Sequence, residues 1–572
     1  MSSGDNSLDR LDSVNRRRFM ALVGAASGVT LAGCSGGNNA TNTEGDGTSG
    51  QTEAPNDAEE SGTTEGSAST GGTLNVQLGG PLDNLDPHVA GLRNVFTAIN
   101  RVYHKLFEPD QTLSYVPVLA DGFQLTDDGN SAIIPLKEGV MFHPPYEREM
   151  VAEDVVSNFD RVNDPDTGSP RTSFFDNWED WYAEGDYELR IDLAQPEPTV
   201  PVKLGQVGMQ IISPEAIEDL GDDIRNTPVG TGPFKFEEWS TRDFIHFSAY
   251  ENYFQTDLPH IDDIYFRPIE EPATAVTELE TGSIQFLHAP PTDSIPNFQE
   301  SSNIEVPTIQ SPETRRRFHI NASDWTGEGR DNGAPTQSQN IRQAIYEALD
   351  ANAFLEIVEN GYGETGQTVY PENSTWGIDY SPHSTAANPE RARELIAESD
   401  FDTPVPLSMI GSSDLDIMRD MVRIAQDQLN QAGFEVNLQE METAAWVERL
   451  NAFRWDLTPN WGGHSPDPAL QRAERTFWTN ERDVETHVPY YDTPDSNWER
   501  VFEIFEEDDG TLSSEERYEL YAEQQRLICD DCVYAVLYHP LNMRAHRTSV
   551  QNYEIPATAV DDPFHRVRLT EN

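Results

Sequence analysis

Two cysteines near the carboxyl end of the chain are the residues whose types and spacing most clearly allow chemistry. They stand in the spacing Cys529-Asp530-Asp531-Cys532, which can form half of a metal site, a redox pair or a short disulfide. No second CxxC and no nearby histidine pair completes a zinc site, and no thioredoxin-like sequence surrounds the pair. Outside the cell a disulfide is chemically permitted, so a disulfide and two free buried thiols both remain open.

The sequence contains no recognised enzyme signature. The run Gly463-His464-Ser465-Pro466-Asp467 lacks the final glycine of a nucleophile elbow. There is no HExxH motif, and Asp508-Asp509-Gly510 lacks the ligand spacing of an EF-hand. The 13 histidines show no clustered ligand set. We therefore predict a protein that is not an enzyme and that holds no metal or cofactor. A secreted hydrolase remains the alternative.

From Leu415 onward the sequence predicts alternating helices and strands. A helix ends at Ala432-Gly433, a strand follows at 434–438, Thr443 can cap the next helix, and a second strand covers 455–460. Loops past the carboxyl ends of such strands are where open α/β sheets bind ligands. The loop after the second strand is therefore the candidate ligand site.

This candidate loop extends from Trp461 to Pro468. We interpret Trp461 as an aromatic wall of a cleft, with sheet packing as the alternative. His464 would either touch the ligand or face solvent. Asp467 would either hold the loop through backbone hydrogen bonds or meet the ligand. Aromatic residues in other loops could also face the cleft or pack in the core; these are Trp376, Phe174 and Trp178.

Between residues 73 and 154, the sequence predicts a mixture of strands and helices. The alternating run Thr73–Leu78 predicts a strand, and residues 95–106 predict a helix. A hairpin with its turn at Asp128-Gly129 follows. Glu153 and Asp154 then fit the first turn of another helix, where carboxylates interact favourably with the helix dipole.

The amino-terminal residues predict export. An arginine cluster, Arg16-Arg17-Arg18-Phe19, resembles a twin-arginine motif, and Leu31-Ala32-Gly33-Cys34 resembles a lipobox. The apolar run between them is shorter than the roughly 18 to 20 residues that span a bilayer. We predict that residues 1–33 are a twin-arginine lipoprotein signal and that lipid on Cys34 anchors the protein at the outer face of the cell membrane. An ordinary signal cleaved elsewhere is the alternative.

Composition narrows the class of protein further. Residues 34–72 hold the lipidated cysteine and a polar linker that predicts a disordered tether. The chain has 38 Lys and Arg against 100 Asp and Glu, a net charge of −62, which excludes nucleic acid as a partner. Such a surface is typical of an extreme halophile, so we expect a halophilic archaeal source. An acidic surface made for a cationic ligand is the alternative.

Several segments, taken in order, resemble the family 5 extracellular solute-binding proteins, the peptide- and nickel-binding lipoproteins of ABC importers. The first segments are Tyr115–Gly122, Thr126–Gly129, Ile133–His143, Val151–Val155 and Pro228–Phe236. Later ones are Asn252–Phe254, the predicted helix Ala273–Gly282, the amphipathic helix Asn340–Asp350 and the helix start Asn388-Pro389. The resemblance covers nearly all of the chain from Gly72 to its end.

The resemblance implies an α/β, two-lobed, periplasmic-binding-protein-like fold of the large peptide-binding type. Lobe I would comprise 73–310 with an inserted subdomain at 111–227, lobe II would comprise 311–541, and 542–572 would return to lobe I. The lobes would close about hinge crossings near Gln310 and Pro540, and the closed form would meet the permease and ATPase subunits of an importer. Closure would be a population shift driven by the ligand.

The resemblance also implies what the site lacks. The aspartate that pairs with a peptide ammonium group in relatives falls at His464, and the stretch Ile410–Asp414, which includes Ser412, has no arginine for a peptide carboxylate. Burying an unpaired terminus would be costly. We therefore predict a receptor for longer or blocked peptides or a related polar solute. The alternatives are a receptor for sugars or another non-peptide solute, and a ligand-presenting sensory protein.

Overall fold

The structure, a computed structural model, describes residues 71–323, 334–460, 466–473, 493, 495–508 and 513–570. Strands in these residues form two seven-stranded sheets, a four-stranded sheet and two short ribbons. One ribbon pairs Phe107–Pro109 with Tyr115–Pro117, and the other pairs Val550–Gln551 with Arg568–Leu569. Cys34, Trp461 and His464 lie outside the described residues.

The first seven-stranded sheet is built around the amino-terminal strand, as its alternating pattern predicts. Thr73–Leu78 pairs in parallel with Asp263–Pro268, and Leu74, Val76 and Leu78 are buried. The order across the sheet is Ile304–Glu305, Ala545–Arg547, Phe286–Leu287, Thr73–Leu78, Asp263–Pro268, Phe244–Ala249 and Phe234–Ser240. Its apolar face packs in a core with Phe247 and Phe266.

The four-stranded sheet has a separate core. Its order is Gln124–Leu125, Ser131–Pro135, Glu188–Leu193 and Trp178–Ala183. The predicted hairpin at Asp128-Gly129 is confirmed as the connection between the first two strands. Helix Ala152–Asn163 packs on this sheet, and the Asp154 carboxylate accepts the Val151 N–H at 2.8 Å, which satisfies a free donor at the helix start.

The second seven-stranded sheet contains the strands predicted after Leu415. Six strands follow the order Thr308–Gln310, Tyr534–Met543, Arg316–Ile320, Leu457–Asn460, Val405–Ser412 and Phe434–Met441. The seventh, Gly363–Thr365, also pairs with Tyr534–Met543. Helix Asp416–Ala432 crosses between two parallel strands and ends at Gly433, whose φ of 109° favours glycine.

Most of the remaining helices surround these sheets. The α-helices are Arg93–Ile99, Val200–Leu204, Pro214–Leu220, Pro272–Thr281, Ile295–Glu300, Gln339–Ala348, Ala351–Glu359, Pro389–Ala397, Thr443–Asn451, Trp498–Glu507 and Ser514–Asp531. The 3-10 helices are Pro165–Thr167, Thr172–Phe175, Gly221–Arg225, Thr292–Ser294, Pro335–Gln337, Pro468–Ala473 and Phe564–Arg566. Among the described helices, none combines the length and the apolar content needed to cross a bilayer.

Two local predictions are wrong. The helix predicted at 95–106 ends at Ile99, because the carbonyls of Arg101 and Val102 instead accept the N–H groups of Phe234 and Gly232. Thr443 does not cap its helix but is the first helical residue. The Asp414 carboxylate accepts the Thr443 N–H at 2.8 Å and serves that end from outside the helix.

The chain passes between the two large sheets twice, at neighbouring points. Glu305 and Thr308 flank the outward crossing, and Met543 and Ala545 flank the return. The Arg544 N–H donates to the Pro307 carbonyl at 3.2 Å, so the two crossings are paired. We call residues 71–305 and 545–570 lobe I and residues 308–543 lobe II. Each large sheet has its own core, and the fold is two-lobed.

Candidate ligand-binding cleft

Glu313 lies at the boundary between the lobes. It follows strand Thr308–Gln310 of lobe II, and its carboxyl group lies near the N–H of Ala559 in lobe I, which favours the charged form. Burial raises the pKa of Glu313 to about 7, and the charge of Asp561 adds to the shift while Arg93 and Lys105 oppose it. The boundary therefore holds a carboxyl group that titrates near neutral pH.

On the lobe I side, the carboxylate of Asp561 is balanced by its neighbours. The Lys105 ammonium lies 3.4 Å from Asp561 Oδ1, which also accepts from Asn100 Nδ2 at 2.8 Å. Thr558 Oγ1 donates to the other oxygen at 2.6 Å. Lys105 is buried, so this ion pair is shielded from solvent. Asp561 is therefore a fixed, paired charge, and its charge helps to raise the pKa of Glu313.

A cavity of about 420 Å³ opens beside Asp561 in lobe I. Glu108 and His565 are among the residues that line it. Burial opposes ionisation of Glu108, but His104, whose Nδ1 lies 2.7 Å from Glu108 Oε1, outweighs burial and lowers its pKa to about 2. Burial lowers the pKa of His565 to about 3, so its imidazole is neutral at ordinary pH. The cavity thus presents neutral and paired polar groups.

Tyr115 adds an aromatic side chain to the same boundary. Burial raises its pKa, and the charges of Glu313, Asp561 and Asp467 contribute to the shift. These three carboxyl groups come from both lobes, and the hydroxyl of the preceding residue, Ser114, lies 2.8 Å from the Thr375 hydroxyl of lobe II, so Tyr115 follows a residue at the boundary. Its hydroxyl accepts a hydrogen bond from Gln206 Nε2 at 2.7 Å, which fixes the ring against lobe I.

In lobe II, Asp467 from the candidate ligand loop is buried against Arg517. The guanidinium donates to the two Asp467 oxygens at 2.9 and 3.2 Å, and it also donates to Asp508 at 2.8 to 3.0 Å. Asp467 Oδ1 additionally accepts the Ala469 N–H at 2.9 Å. Burial raises the pKa of Asp467, even though Arg517 opposes the shift. Asp467 thus makes backbone and ion-pair contacts within lobe II.

Trp376 packs in the same cluster. The Arg517 guanidinium lies over its ring at 5.1 Å, and the side chain of Tyr521 meets it edge to face. The Trp376 carbonyl accepts from Gln525 Nε2 at 2.8 Å. Only 9% of the residue is exposed, so lobe II side chains enclose most of the ring.

Ser412 lies at the carboxyl end of strand Val405–Ser412 and is fully buried. Its hydroxyl lies 2.9 Å from the hydroxyl of Thr443, and it accepts the Asp414 N–H at 3.3 Å. These contacts join the strand end to the start of helix Thr443–Asn451. The described contacts of Ser412 are therefore with its own lobe.

Cys529 and Cys532 are free thiols in the structure. Cys532 Sγ lies 3.1 Å from His383 Nε2, and His383 Nδ1 lies 3.4 Å from a Glu347 oxygen. Although burial opposes it, contact with Cys532 and Glu347 raises the pKa of His383 to about 10. Among the described residues, no group of three or more His, Cys, Asp or Glu is placed to hold a metal ion.

Sequence reasoning missed Arg517, Glu313, Tyr115 and the Lys105–Asp561 pair. Each becomes notable only through partners that are distant in the chain, such as Asp467 for Arg517. A weak signal existed for Lys105, since it is one of the four lysines in the sequence.

Two separately packed lobes joined by paired crossings, with polar groups from both at the boundary, define the class of two-lobed solute-binding proteins. The chain belongs to the bacterial extracellular solute-binding proteins of family 5, whose model matches residues 114–479, more than half of the chain. The structure is similar to that of the periplasmic binding protein DppA from Helicobacter pylori in complex with the peptide STSA. That match has a TM-score of 0.69 and 21% identity, and covers 88% of this chain and 99% of the other.

Two further proteins are similar to this chain. HbpA2 from Haemophilus parasuis matches with a TM-score of 0.76 at 19% identity, covering 87% of this chain and 100% of the other. The glutathione-binding protein GsiB of Salmonella paratyphi A is 27% identical over 377 residues, which is 65% of this chain and 71% of that protein.

Proposed function

We propose that this protein is the solute receptor of an ABC importer, which captures peptides or a related polar solute and delivers it to permease and ATPase subunits. The main support for the proposal is that the two lobes are joined by only two adjacent crossings in the described chain, with Glu313 of lobe II near enough to Asp561 of lobe I for its pKa to be raised. Such a hinge lets the lobes close over a solute. Two similar proteins support a peptide ligand, one named as glutathione-binding and one solved with a peptide.

We propose that the protein binds its solute without catalysing a reaction. The solute is held by neutral donors, aromatic faces and paired charges, and no bond in it is broken. Trp461 and His464 would contact the solute directly. Asp467, Ser412 and Trp376 would support the cleft through the buried contacts described above. A sugar or another non-peptide solute, or a signalling partner in place of a permease, would use the same two-lobed frame.

We also propose an extracellular location for the folded part. Residues 1–33 would act as a twin-arginine signal, and lipid on Cys34 would anchor the chain through the 34–72 tether. The net charge of −62 supports a halophilic host, because molar salt screens the repulsion among surface carboxylates. The mass of the amino-terminal peptide of the mature protein tests this: a diacylglyceryl Cys34 supports it, and an unmodified residue before Cys34 contradicts it.

The test of function is to identify what the protein carries. Protein purified from its host in molar salt is denatured, and the released small molecules are analysed by mass spectrometry against a mock preparation. Peptides would support the peptide-receptor proposal. Their lengths and termini would show how the cleft binds peptides without an aspartate for the ammonium group or an arginine for the carboxylate. A sugar or another solute would retain the receptor and reject the peptide. A chemically converted product on incubation with that solute would overturn the receptor.

A further inference from the structure

Thr375 of lobe II makes a direct contact with lobe I away from the two chain crossings. Its N–H and its hydroxyl both donate to the Thr112 carbonyl, at 3.0 and 2.9 Å. The same hydroxyl lies 2.8 Å from the Ser114 hydroxyl. It also lies 3.1 Å from the Thr112 hydroxyl. One threonine therefore meets three groups of a lobe I turn, and these contacts are exposed at the rim.

The lobe I side of this contact is a preformed turn. The Asp110 carboxylate accepts the N–H groups of Thr112 and Ser114 at 2.8 and 3.0 Å, and the Thr112 hydroxyl at 2.8 Å. Leu113 has a φ of 66°, which the surrounding bonds maintain. The turn thus presents the Thr112 carbonyl and the Ser114 hydroxyl without help from lobe II.

The lobe II side is equally rigid. The Ser374 N–H and hydroxyl both donate to the Pro371 carbonyl, at 3.0 and 2.9 Å. Gly377 turns so tightly that a Cβ there would lie 2.2 Å from that carbonyl. Trp376, next to Thr375, is enclosed beneath Arg517, which also holds Asp467 of the candidate ligand loop. Thr375 therefore stands on a fixed support.

A second contact crosses the boundary elsewhere. The Glu313 carboxyl of lobe II lies near the Ala559 N–H of lobe I, which acts to lower its pKa. If the lobes separate as bodies, this contact and the Thr375 contact must break together. If Thr375 only packs locally, the two contacts are independent. Exchange of the backbone amides of Thr375 and Ala559 distinguishes joint opening of the two contacts from independent opening.

We propose that Thr375 is a positioning residue for lobe closure, and that with Thr112 and Ser114 it forms a clasp that holds the closed state. This inference rests on the proposed function at one point, that closure of the lobes serves solute capture. Because both halves are preformed, little conformational entropy is lost when they meet, and most of the hydrogen-bond energy goes into closure. Opening of the lobes exposes the Thr375 and Ala559 amides to water.

The test alters the lobe I side of one contact and measures amides at both contacts. Amide hydrogen exchange is followed at single-residue resolution in molar salt for the full protein and for Ser114→Ala. This substitution leaves Thr375 and its loop unchanged. The clasp predicts that exchange of the Thr375 and Ala559 amides rises by the same factor, about fivefold, the effect of one neutral hydrogen bond on an opening equilibrium. Thr281→Val is the control, because its hydroxyl bonds within its own lobe I helix.

Two outcomes overturn the clasp. One is unchanged Thr375 exchange in Ser114→Ala; the other is faster exchange at Thr375 alone, which would show local loosening. Thr375→Val is a second variant, read at Ala559, and Thr375→Ser must restore the wild-type rate there. Exchange is measured on the protein alone, so a converted solute would reject the functional proposal and leave this result standing.

Discussion

Two buried clusters, one at the return crossing and one in lobe II, each pair an arginine with an aspartate. The pKa of the aspartate is shifted in opposite directions in the two clusters. At the crossing, Arg544 Nε donates to Asp562 at 3.0 Å, and His288 and the Tyr553 hydroxyl also contact that carboxylate. Burial acts to raise the pKa of Asp562, but Arg544 and His288 outweigh it and hold the pKa far below its ordinary value. In lobe II, the pKa of Asp467 is raised although Arg517 lies 2.9 Å away.

The number of carboxylates explains the difference. Asp562 has two basic neighbours and a hydroxyl donor to itself, whereas Asp467 shares Arg517 with Asp508, whose charge raises the pKa of Asp467. A buried ion pair is stabilising only where its partners offset the cost of burial. The ionised form of Asp562 is therefore strongly favoured, whereas burial works against the ionised form of Asp467, although its charge and that of Asp508 raise the pKa of Arg517.

Asp562→Asn should have the largest effect. It leaves Arg544 buried without a carboxylate, so we expect a loss of about 3–5 kcal/mol in the free energy of unfolding near neutral pH. Because the folded-state pKa is lowered, this stabilisation is present above the ordinary pKa of 3.8 and is lost as the pH falls through the folded-state pKa. Urea unfolding in molar salt measures both. A loss below about 1 kcal/mol would contradict the comparison.

Glu313→Gln should have the next largest effect, with the opposite pH dependence. Protonation of Glu313 stabilises the fold below the ordinary pKa of 4.5, and that contribution is lost as the pH rises through about 7. At pH 8 the variant should therefore be more stable than the wild type by about 1–2 kcal/mol, since it buries no ionised carboxyl. The exposed Glu356→Gln in lobe II is the control. A difference that does not change between pH 5 and 8 would reject this assignment.

Ser412→Ala measures how much a buried hydrogen bond between neutral groups contributes to the free energy of unfolding. It removes the hydroxyl shared with Thr443 from a fully buried position, so we expect a loss of about 1 kcal/mol. The loss should not vary between pH 5 and 8, because neither partner titrates there. The same urea experiment checks it, and a loss above about 3 kcal/mol would show that Ser412 has a role beyond this hydrogen bond.

Asp467→Asn should have the smallest effect. Burial already opposes the charge of Asp467, and Arg517 keeps Asp508 as its partner. We expect a change of less than about 1 kcal/mol near neutral pH, in either direction. A loss as large as that of Asp562→Asn would show that the two clusters are energetically alike and would overturn the comparison.

Local patterns in the sequence predicted much of the scaffold. The alternation in Thr73–Leu78 marks a strand with one face in the core, and the helix after Leu415 ends at Gly433 as predicted. These elements are set by neighbours within a few residues. The helix from 95 ended early because its backbone pairs with residues more than a hundred positions away, which no local pattern contains.

The site was less predictable for the same reason. The loop that holds Asp467 was chosen as the candidate ligand site, and that role stays a prediction; the Asp467 partner Arg517 lies fifty residues further on in helix Ser514–Asp531. Glu313 and Ala559 are farther apart still. The roles of Trp461 and His464 stay predictions, and the free thiols of Cys529 and Cys532 are one of the two alternatives that the sequence left open.

The most direct test of the account is whether the lobes close on a solute. Small-angle X-ray scattering in molar salt compares the protein freed of solute by dialysis with the same protein after the solute identified by mass spectrometry is added back. We predict a smaller radius of gyration on addition, with the solute recovered chemically unchanged. An unchanged radius with saturating solute, or a converted solute, would contradict a receptor that works by closure.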